Sequence, residues 1–182
     1  MVSSTPAGAG GLLYLPYLAG SVAPNFDSYA RGTFIGLTFA HDTAAMARSV
    51  MEGVSLETRD ILSKFTEMGV DLEEVRLSGG ATKSALWCQI QTDIYGRPTV
   101  SLEEGECAVL GAAMLGAVGA GVFATMDEAI DAMVRVKSTF EPDTSKGALY
   151  DDAFEIFQES YKALSAAGVY SKLSAFQSTY VS

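Results

Sequence analysis

Few of the residues that bind metals or form disulfides occur in this 182-residue sequence. It contains one histidine and two cysteines, too few for a zinc site or a disulfide framework. Cys88 and Cys107 each lie within an apolar helical pattern, which predicts that both are reduced and buried. We therefore expect no metal site built from the side chains of this chain.

Clustered positive charge and long apolar runs are also missing. Twelve basic residues stand against twenty-two acidic ones, giving a net charge of −10, and no basic patch interrupts this excess, so nucleic acid is not an expected partner. No apolar run reaches the roughly 18 residues that a transmembrane helix needs. The N-terminal residues lack the basic and apolar regions of a secretory signal. The sequence thus predicts a cytoplasmic protein without membrane contact.

The most informative segment that is present runs from residue 74 to residue 89. Its alternating apolar residues predict a strand at 75–78, and apolar residues at every fourth position predict a helix that follows directly and ends near Tyr95. Gly79 and Gly80 occupy the junction. Glycines there let a ligand approach bare backbone near the free N–H groups of a helix start, which favours a nucleotide or anion site. A tight strand-to-helix turn without ligand is the alternative.

Turn residues and apolar periods along the rest of the sequence predict a regular alternation of strands and helices. This alternation predicts an α/β domain with at least partly parallel strands. Further strands are predicted at 12–15, 32–37 and 99–102, and further helices at 44–68, 108–120, 126–134 and 149–164. The 108–120 segment is apolar on all sides, so we expect that helix to be largely buried. The whole chain, 1–182, is predicted to form a single domain, with 1–11 and 168–182 as peripheral tails.

Four segments in order carry a resemblance to a known family. They are LPYLAG at 15–20, ARGTFIGLT at 30–38, GGA at 79–81 and GECAVLGAA at 105–113. Together they are far more specific than one glycine pair. The chain resembles the C-terminal half of the FGGY carbohydrate kinases, and within that family the xylulokinases. The resemblance implies an actin-like (ribonuclease-H-like) ATPase domain whose central mixed sheet is flanked by helices.

The resemblance also implies an activity and a set of binding residues. FGGY kinases transfer the γ-phosphoryl group of ATP to a sugar hydroxyl, here that of a ketose such as D-xylulose, with Mg²⁺ accompanying the nucleotide. By this likeness Gly79, Gly80, Ala81 and Ser84 bind the adenosine and α-phosphate. The base, the metal ligands and most sugar contacts are implied to come from the N-terminal half. No catalytic residue is assigned to this chain.

Other residues in the matching segments have simpler interpretations. Lys83 is expected to be a solvated residue at a helix start, and Trp87 to pack against the sheet rather than stack on adenine. Two departures leave the sugar open: Ser21 and Val22 stand where xylulokinase-like proteins carry Glu-Arg, and Ala45 stands where the family often has a polar residue. A different polyol or sugar, such as glycerol, gluconate or an autoinducer-like molecule, is the alternative substrate.

The expected partners are ATP or ADP, a sugar held mainly by the missing half, and either a second copy of the chain or that missing half. The sequence is expected to be a truncated or split kinase. A non-catalytic binding or scaffold module that kept the fold stays open as an alternative. A different actin-like ATPase, such as a chaperone or filament protein, is a further alternative that the full set of segments disfavours.

Overall fold

A computed structural model describes residues 2–180. Within them the chain divides into two compact units. The first unit comprises 2–72, 93–96 and 143–180, and the second comprises 73–92 and 97–142. Residues 1, 181 and 182, which belong to the predicted tails, lie outside the described residues. The assignment of residues 1–182 to one domain stays a prediction.

The first unit combines a small sheet with long helices. Its elements are β1 (Leu13–Leu15), β2 (Thr33–Ile35), α1 (Thr43–Glu67), α5 (Gly147–Ala166) and α6 (Val169–Tyr180). Strands β1 and β2 pair antiparallel, with Leu13 opposite Ile35. The sequence predicted all of these except α6, which lies in a segment interpreted as a tail.

Helix α1 begins within one residue of its predicted start because a capping residue fixes it. Asp42 precedes the helix, and its Oδ1 accepts the backbone N–H of Ala45 at 2.8 Å. Midway along the helix, Gly53 lets α1 approach β1 closely, since a Cβ at this position would lie 2.1 Å from the carbonyl oxygen of Tyr14. The helix therefore packs backbone to backbone against the strand.

Aromatic side chains fill the core of the first unit around β1 and α5. The ring of Tyr17 lies 6.3 Å from that of Phe157 and 5.3 Å from that of Tyr161, measured between centroids. Such tilted and edge-on contacts are the favoured arrangement of aromatic pairs. Burial raises the pKa of Tyr170 to about 12, with a smaller contribution from Tyr161, so these phenols stay neutral at physiological pH.

The second unit is built on a mixed three-stranded sheet. Its strands are β3 (Val75–Leu77), β4 (Thr99–Leu102) and β5 (Val136–Phe140), and its helices include α3 (Cys107–Gly119) and α4 (Met126–Met133), while α2 (Ala85–Tyr95) begins here. Strand β4 is central and fully buried; it pairs parallel to β3 and antiparallel to β5. Strand β5 was not predicted from the sequence.

The prediction that the 108–120 helix is largely buried is wrong. Helix α3 forms at the expected place, but none of its residues is buried, and Val109 and Leu115 are each about two-thirds exposed. An apolar composition favours burial of a helix, but burial also requires neighbouring elements that pack against its faces. Within the described residues, α3 has apolar side chains on a solvent-facing surface.

The two cysteines differ in burial. Both are free thiols, as predicted, and Cys88 is buried, but Cys107 at the start of α3 is only half-buried. The expectation that both are buried therefore holds for Cys88 alone. Among residues 2–180, every helix is too short or too polar to span a bilayer.

Candidate functional site

The Gly79–Gly80 junction lies in the second unit, just after β3. Gly79 adopts φ 78° and ψ −163°, a conformation that side chains with a Cβ rarely adopt. Its backbone N–H donates to the carbonyl oxygen of Gly105 at 2.9 Å. The loop before α3 thereby fixes the end of the strand.

The sequence predicted that the helix follows the glycines directly, but the structure differs. A single 3-10 turn, Gly80–Lys83, comes first, and α2 begins only at Ala85. Thr82 closes the turn because both its backbone N–H (3.2 Å) and its hydroxyl (2.7 Å) donate to the carbonyl oxygen of Gly79. The N-terminal end of α2 is thus displaced by one short turn from the glycines.

Ser84 therefore stands before the helix rather than one turn into it. Its Oγ accepts the backbone N–H of Trp87 at 3.3 Å, the contact of a helix N-cap. The hydroxyl hydrogen stays available for a ligand acceptor, because capping uses only the oxygen lone pair. Ser84 is half-buried, whereas the neighbouring Lys83 is exposed, as predicted.

Open space lies over the glycine backbone. A Cβ placed on Gly79 or on Gly80 would meet no atom within 4 Å. The turn is consequently not a site of close packing between two protein segments. A ligand can therefore approach the bare backbone of the two glycines, as the sequence predicted.

Cys88 supports the turn from below. Its thiol lies 3.8 Å from the carbonyl oxygen of Ala81 and donates to it. Burial raises the pKa of Cys88, so the group stays a protonated donor at neutral pH. Sequence analysis missed Thr82, Cys88 and Gly105 as supports of the turn. Only Thr82 carried a local signal, since a threonine three residues after a turn residue commonly bonds back to it.

Trp87 is half-buried in the second unit, and its indole Nε1 has no hydrogen-bond partner among the described residues. The partial burial agrees with a packing role.

Acidic residues border the turn on the side of Gly105. Glu104 and Glu106 flank this glycine, and Oε1 of Glu104 accepts the backbone N–H of Glu106 at 2.8 Å. This carboxylate is thus engaged locally.

His41, the one histidine of the sequence, contacts two loop segments of the first unit. Its Nδ1 accepts the backbone N–H of Thr38 at 2.9 Å, and its Nε2 lies 3.1 Å from the carbonyl oxygen of Gly10. The first contact requires an unprotonated Nδ1, so Nε2 carries the hydrogen and donates. Both ring nitrogens are used to hold the loop before α1.

A buried ionic network in the first unit has no counterpart in the sequence analysis. Oε1 of Glu52 accepts from Arg48 Nε at 2.8 Å, from the Tyr150 hydroxyl at 3.0 Å and from the Gly8 N–H at 3.0 Å. Burial raises the pKa of Glu52, and the Arg48 guanidinium opposes that rise. The network joins α1, α5 and the N-terminal segment, and we therefore assign it a structural role in the first unit.

A strand, a glycine turn and a capped helix follow one another in the second unit. The chain matches the family model "FGGY family of carbohydrate kinases, C-terminal domain" over residues 2–120. The chain belongs to this family. The match confirms the resemblance that the four sequence segments indicated, and with it the actin-like ATPase fold class.

Individual relatives agree with the family. The chain is 35% identical to a xylulose kinase of Staphylococcus epidermidis over 89% of its own length and 33% of the relative's. It is 38% identical to a glycerol kinase of Oleidesulfovibrio alaskensis over 75% of the chain and 27% of the relative. The crystal structure of ligand-bound xylulose kinase from Lactobacillus acidophilus superposes with a TM-score of 0.84 at 30% identity, covering 94% of this chain and 34% of that one. The chain thus spans about a third of the length of these relatives.

Proposed function

We propose that this chain supplies the ATP-binding wall of a cytoplasmic carbohydrate kinase that phosphorylates a hydroxyl of a ketose such as D-xylulose. The nucleotide would lie against Gly79, Gly80 and Ala81, with Ser84 donating its hydroxyl hydrogen to a ligand acceptor. ATP supplies the phosphoryl group, and Mg²⁺ would arrive with the nucleotide. These roles combine the family membership with the geometry of one turn.

The open backbone over Gly79 and Gly80 is the observation that carries the proposal. A ligand can lie directly on the turn, because no atom would touch a Cβ at either position. The N–H and the hydroxyl of Thr82 both donate to the carbonyl oxygen of Gly79. Both lone pairs of this oxygen are thus used, which reduces its repulsion of an incoming phosphate. The turn fits an electron-rich ligand better than a cation for this reason.

The chain's own residues bind and orient rather than catalyse. Phosphoryl transfer needs a base for the attacking hydroxyl and ligands for Mg²⁺. At the Gly79–Ser84 turn we assign neither, and we propose that both come from the polypeptide that the longer relatives have in addition. The isolated chain is therefore expected to bind nucleotide weakly and to transfer no phosphoryl group.

The acceptor sugar is the least defined part of the proposal. D-xylulose is favoured because a relative found by sequence and a neighbour found by structure are both xylulose kinases. Glycerol is the second candidate, since a glycerol kinase is 38% identical over three quarters of the chain. Ser21 and Val22, in place of the usual Glu-Arg pair, also argue that specificity departs from the xylulokinase pattern.

Titration of the chain with ADP and Mg²⁺ while amide chemical shifts are recorded tests the site. We expect a dissociation constant of about 1 mM, or about −4 kcal/mol, and perturbations centred on Gly79 to Ser84. Gly80→Val should abolish them, because the branched side chain would fill the open space; the φ of Gly80 is not positive, so backbone strain does not confound this variant.

Gly119→Val provides the matched control. Gly119 is also an open glycine without positive φ and lies at the end of α3 in the same unit. ADP binding should survive in this variant. Shifts that centre elsewhere in the wild-type chain and persist in Gly80→Val would contradict the proposed site.

A further inference from the structure

A small cavity of about 190 Å³ lies in the first unit, between α1, α5 and the loop that follows β1. It is separate in sequence from the Gly79–Ser84 turn. Its inner end is formed by Asp60 of α1 and Gln158 of α5, and its walls include the side chains of Tyr17, Phe157 and Tyr161. The cavity is smaller than typical drug-sized pockets, so a ligand would have to be a small metabolite.

Asp60 is a buried carboxylate without an ion-pair partner; its cationic neighbour Lys64, one turn further along α1, is paired with Glu67 instead. Asp60 is only 7% exposed, and its side chain accepts one hydrogen bond, from the neutral amide Nε2 of Gln158 at 2.6 Å. Across residues 2–180, no ion pair within 4.0 Å includes it. Buried carboxylates are nearly always paired, because an uncompensated charge in the interior is costly.

A second carboxyl group adds negative charge beside Asp60. Glu57 lies one turn earlier on α1; burial and the neighbouring charge of Asp60 raise the pKa of Glu57. Two carboxyl groups therefore share this side of the helix. A bound cation at Asp60 would relieve the repulsion as well as the desolvation.

Aromatic rings indicate what kind of cation fits. Tyr161 and the buried Tyr17 and Phe157 line the same cavity, and aromatic side chains accommodate an organic ammonium group better than a strongly hydrated metal ion. A hydrated metal ion would instead want several oxygen ligands, and the described residues form no cluster of three or more metal-ligating side chains. The inner end of the cavity thus suits an alkylammonium group.

The outer end of the cavity has the opposite charge. Glu52 contacts Tyr150 and Asp60 contacts Gln158, each at a sequence separation of 98, so α1 and α5 run parallel in register. Lys64 and Lys162, also 98 apart, consequently lie together one turn beyond Asp60 and line the cavity. Lys64 is paired with Glu67, whereas Lys162 has no ion pair among the described residues.

We propose that this cavity binds a small free amino acid as a zwitterion, with its ammonium group at Asp60 and its carboxylate at Lys162. The buried carboxylate of Asp60 pairs with the ammonium group beside the aromatic side chains. The outer lysines attract the carboxylate and repel polyamines, whose second positive charge would meet them. This inference does not depend on the nucleotide site.

Calorimetric titration of the full chain with 4-aminobutyrate, n-butylamine and butyrate tests the assignment. The three probes share a carbon chain and differ only in which charges they carry. We expect 4-aminobutyrate to bind most tightly, butylamine about tenfold more weakly and butyrate not at all. No binding of 4-aminobutyrate at tens of millimolar, or tighter binding of butyrate, would overturn the proposal.

Two substitutions locate the bound probe. Asp60→Asn keeps an oxygen that accepts from Gln158 but removes the charge, so 4-aminobutyrate affinity should fall at least tenfold. Lys162→Gln should reduce it about threefold, whereas Lys172→Gln, an exposed lysine on α6, should leave it unchanged. Equal affinity in Asp60→Asn and the wild-type chain excludes the site.

A thermal melt without ligand separates this role from a structural one. If Asp60 is retained for a ligand, its neutral isostere removes an unpaired buried charge, and Asp60→Asn should melt at a higher temperature than the wild-type chain. Added 4-aminobutyrate should raise the melting temperature of the wild-type chain only. A lower melting temperature for Asp60→Asn, with no effect of the probe on the wild-type chain, would assign Asp60 to fold stability and refute the proposal.

Discussion

The hydroxyl of Tyr150 donates a hydrogen bond to Oε1 of Glu52 at 3.0 Å, although the two residues are 98 positions apart. The contact joins α5 to α1 inside the first unit. The same oxygen accepts from Arg48 and from the N–H of Gly8. One carboxylate oxygen therefore anchors three segments of the chain.

Glu52→Gln is expected to destabilise the first unit strongly. The substitution leaves the Arg48 guanidinium buried without its counter-charge, a loss of about 3 kcal/mol in the free energy of unfolding. Urea denaturation followed by circular dichroism measures it. Glu159→Gln, the same change at an exposed position of α5, should cost less than about 0.5 kcal/mol. Equal effects of the two variants would show that the network adds nothing specific.

Gly53→Ala tests the close approach of α1 to β1. The added methyl group would lie 2.1 Å from the Tyr14 carbonyl oxygen, so the helix must shift, at about 3 kcal/mol or more. Gly116→Ala is the control, because that glycine of α3 has no atom within 4 Å of a Cβ and alanine favours a helix by about 1 kcal/mol over glycine. Melting temperatures of the two variants should move in opposite directions.

The pKa of Asp143 provides a pH-dependent prediction. The Ser145 hydroxyl, followed by Lys146 and the Ser145 N–H, lowers this pKa below its ordinary value. Since the folded-state pKa is depressed, the contribution to stability is present above the ordinary pKa and is lost as the pH falls through the folded value. Ser145→Ala should raise the pKa in a carbon-detected NMR titration, whereas Ser178→Ala on α6 should not.

Much of the helical architecture could be predicted because it depends on local pattern. The apolar period and the cap at Asp42 place α1 at Thr43–Glu67, against a predicted 44–68. Strand β4 was predicted at its observed bounds. Features that depend on distant partners could not be predicted in this way. The Glu52–Tyr150 contact and the exposure of α3 are set by tertiary neighbours, and no periodicity encodes them.

The turn shows the same limit at close range. Its glycines and its position after β3 are visible in the sequence, but the extra 3-10 turn is not. That turn arises because Thr82 donates twice to Gly79, and the hydroxyl hydrogen bond competes with continuation into an α-helix. Ser84 was accordingly predicted inside the helix and is found at its cap.

Self-association is the expected consequence of the exposed surface of α3. Val109 and Leu115 present apolar area that a second copy can cover. Sedimentation velocity at high micromolar concentration should show a species larger than the monomer. The double variant Val109→Gln, Leu115→Gln should shift it towards monomer, whereas Ile156→Gln, on α5 and half exposed, should not. A wild-type chain that stays strictly monomeric would contradict the prediction.

Thr82 is expected to control nucleotide binding through the shape of the turn. Its hydroxyl holds the carbonyl oxygen of Gly79 at 2.7 Å, and one such hydrogen bond contributes about 1 kcal/mol. Thr82→Val keeps the volume and removes the donor, so ADP affinity should fall about fivefold. The N–H of Gly79, which donates to Gly105, should at the same time exchange with deuterium faster. Thr82→Ser keeps the donor and should behave like the wild-type chain in both measurements. If the valine and serine variants bind ADP equally well while exchange at Gly79 is unchanged, the turn keeps its shape without this hydroxyl, and Thr82 has no positioning role.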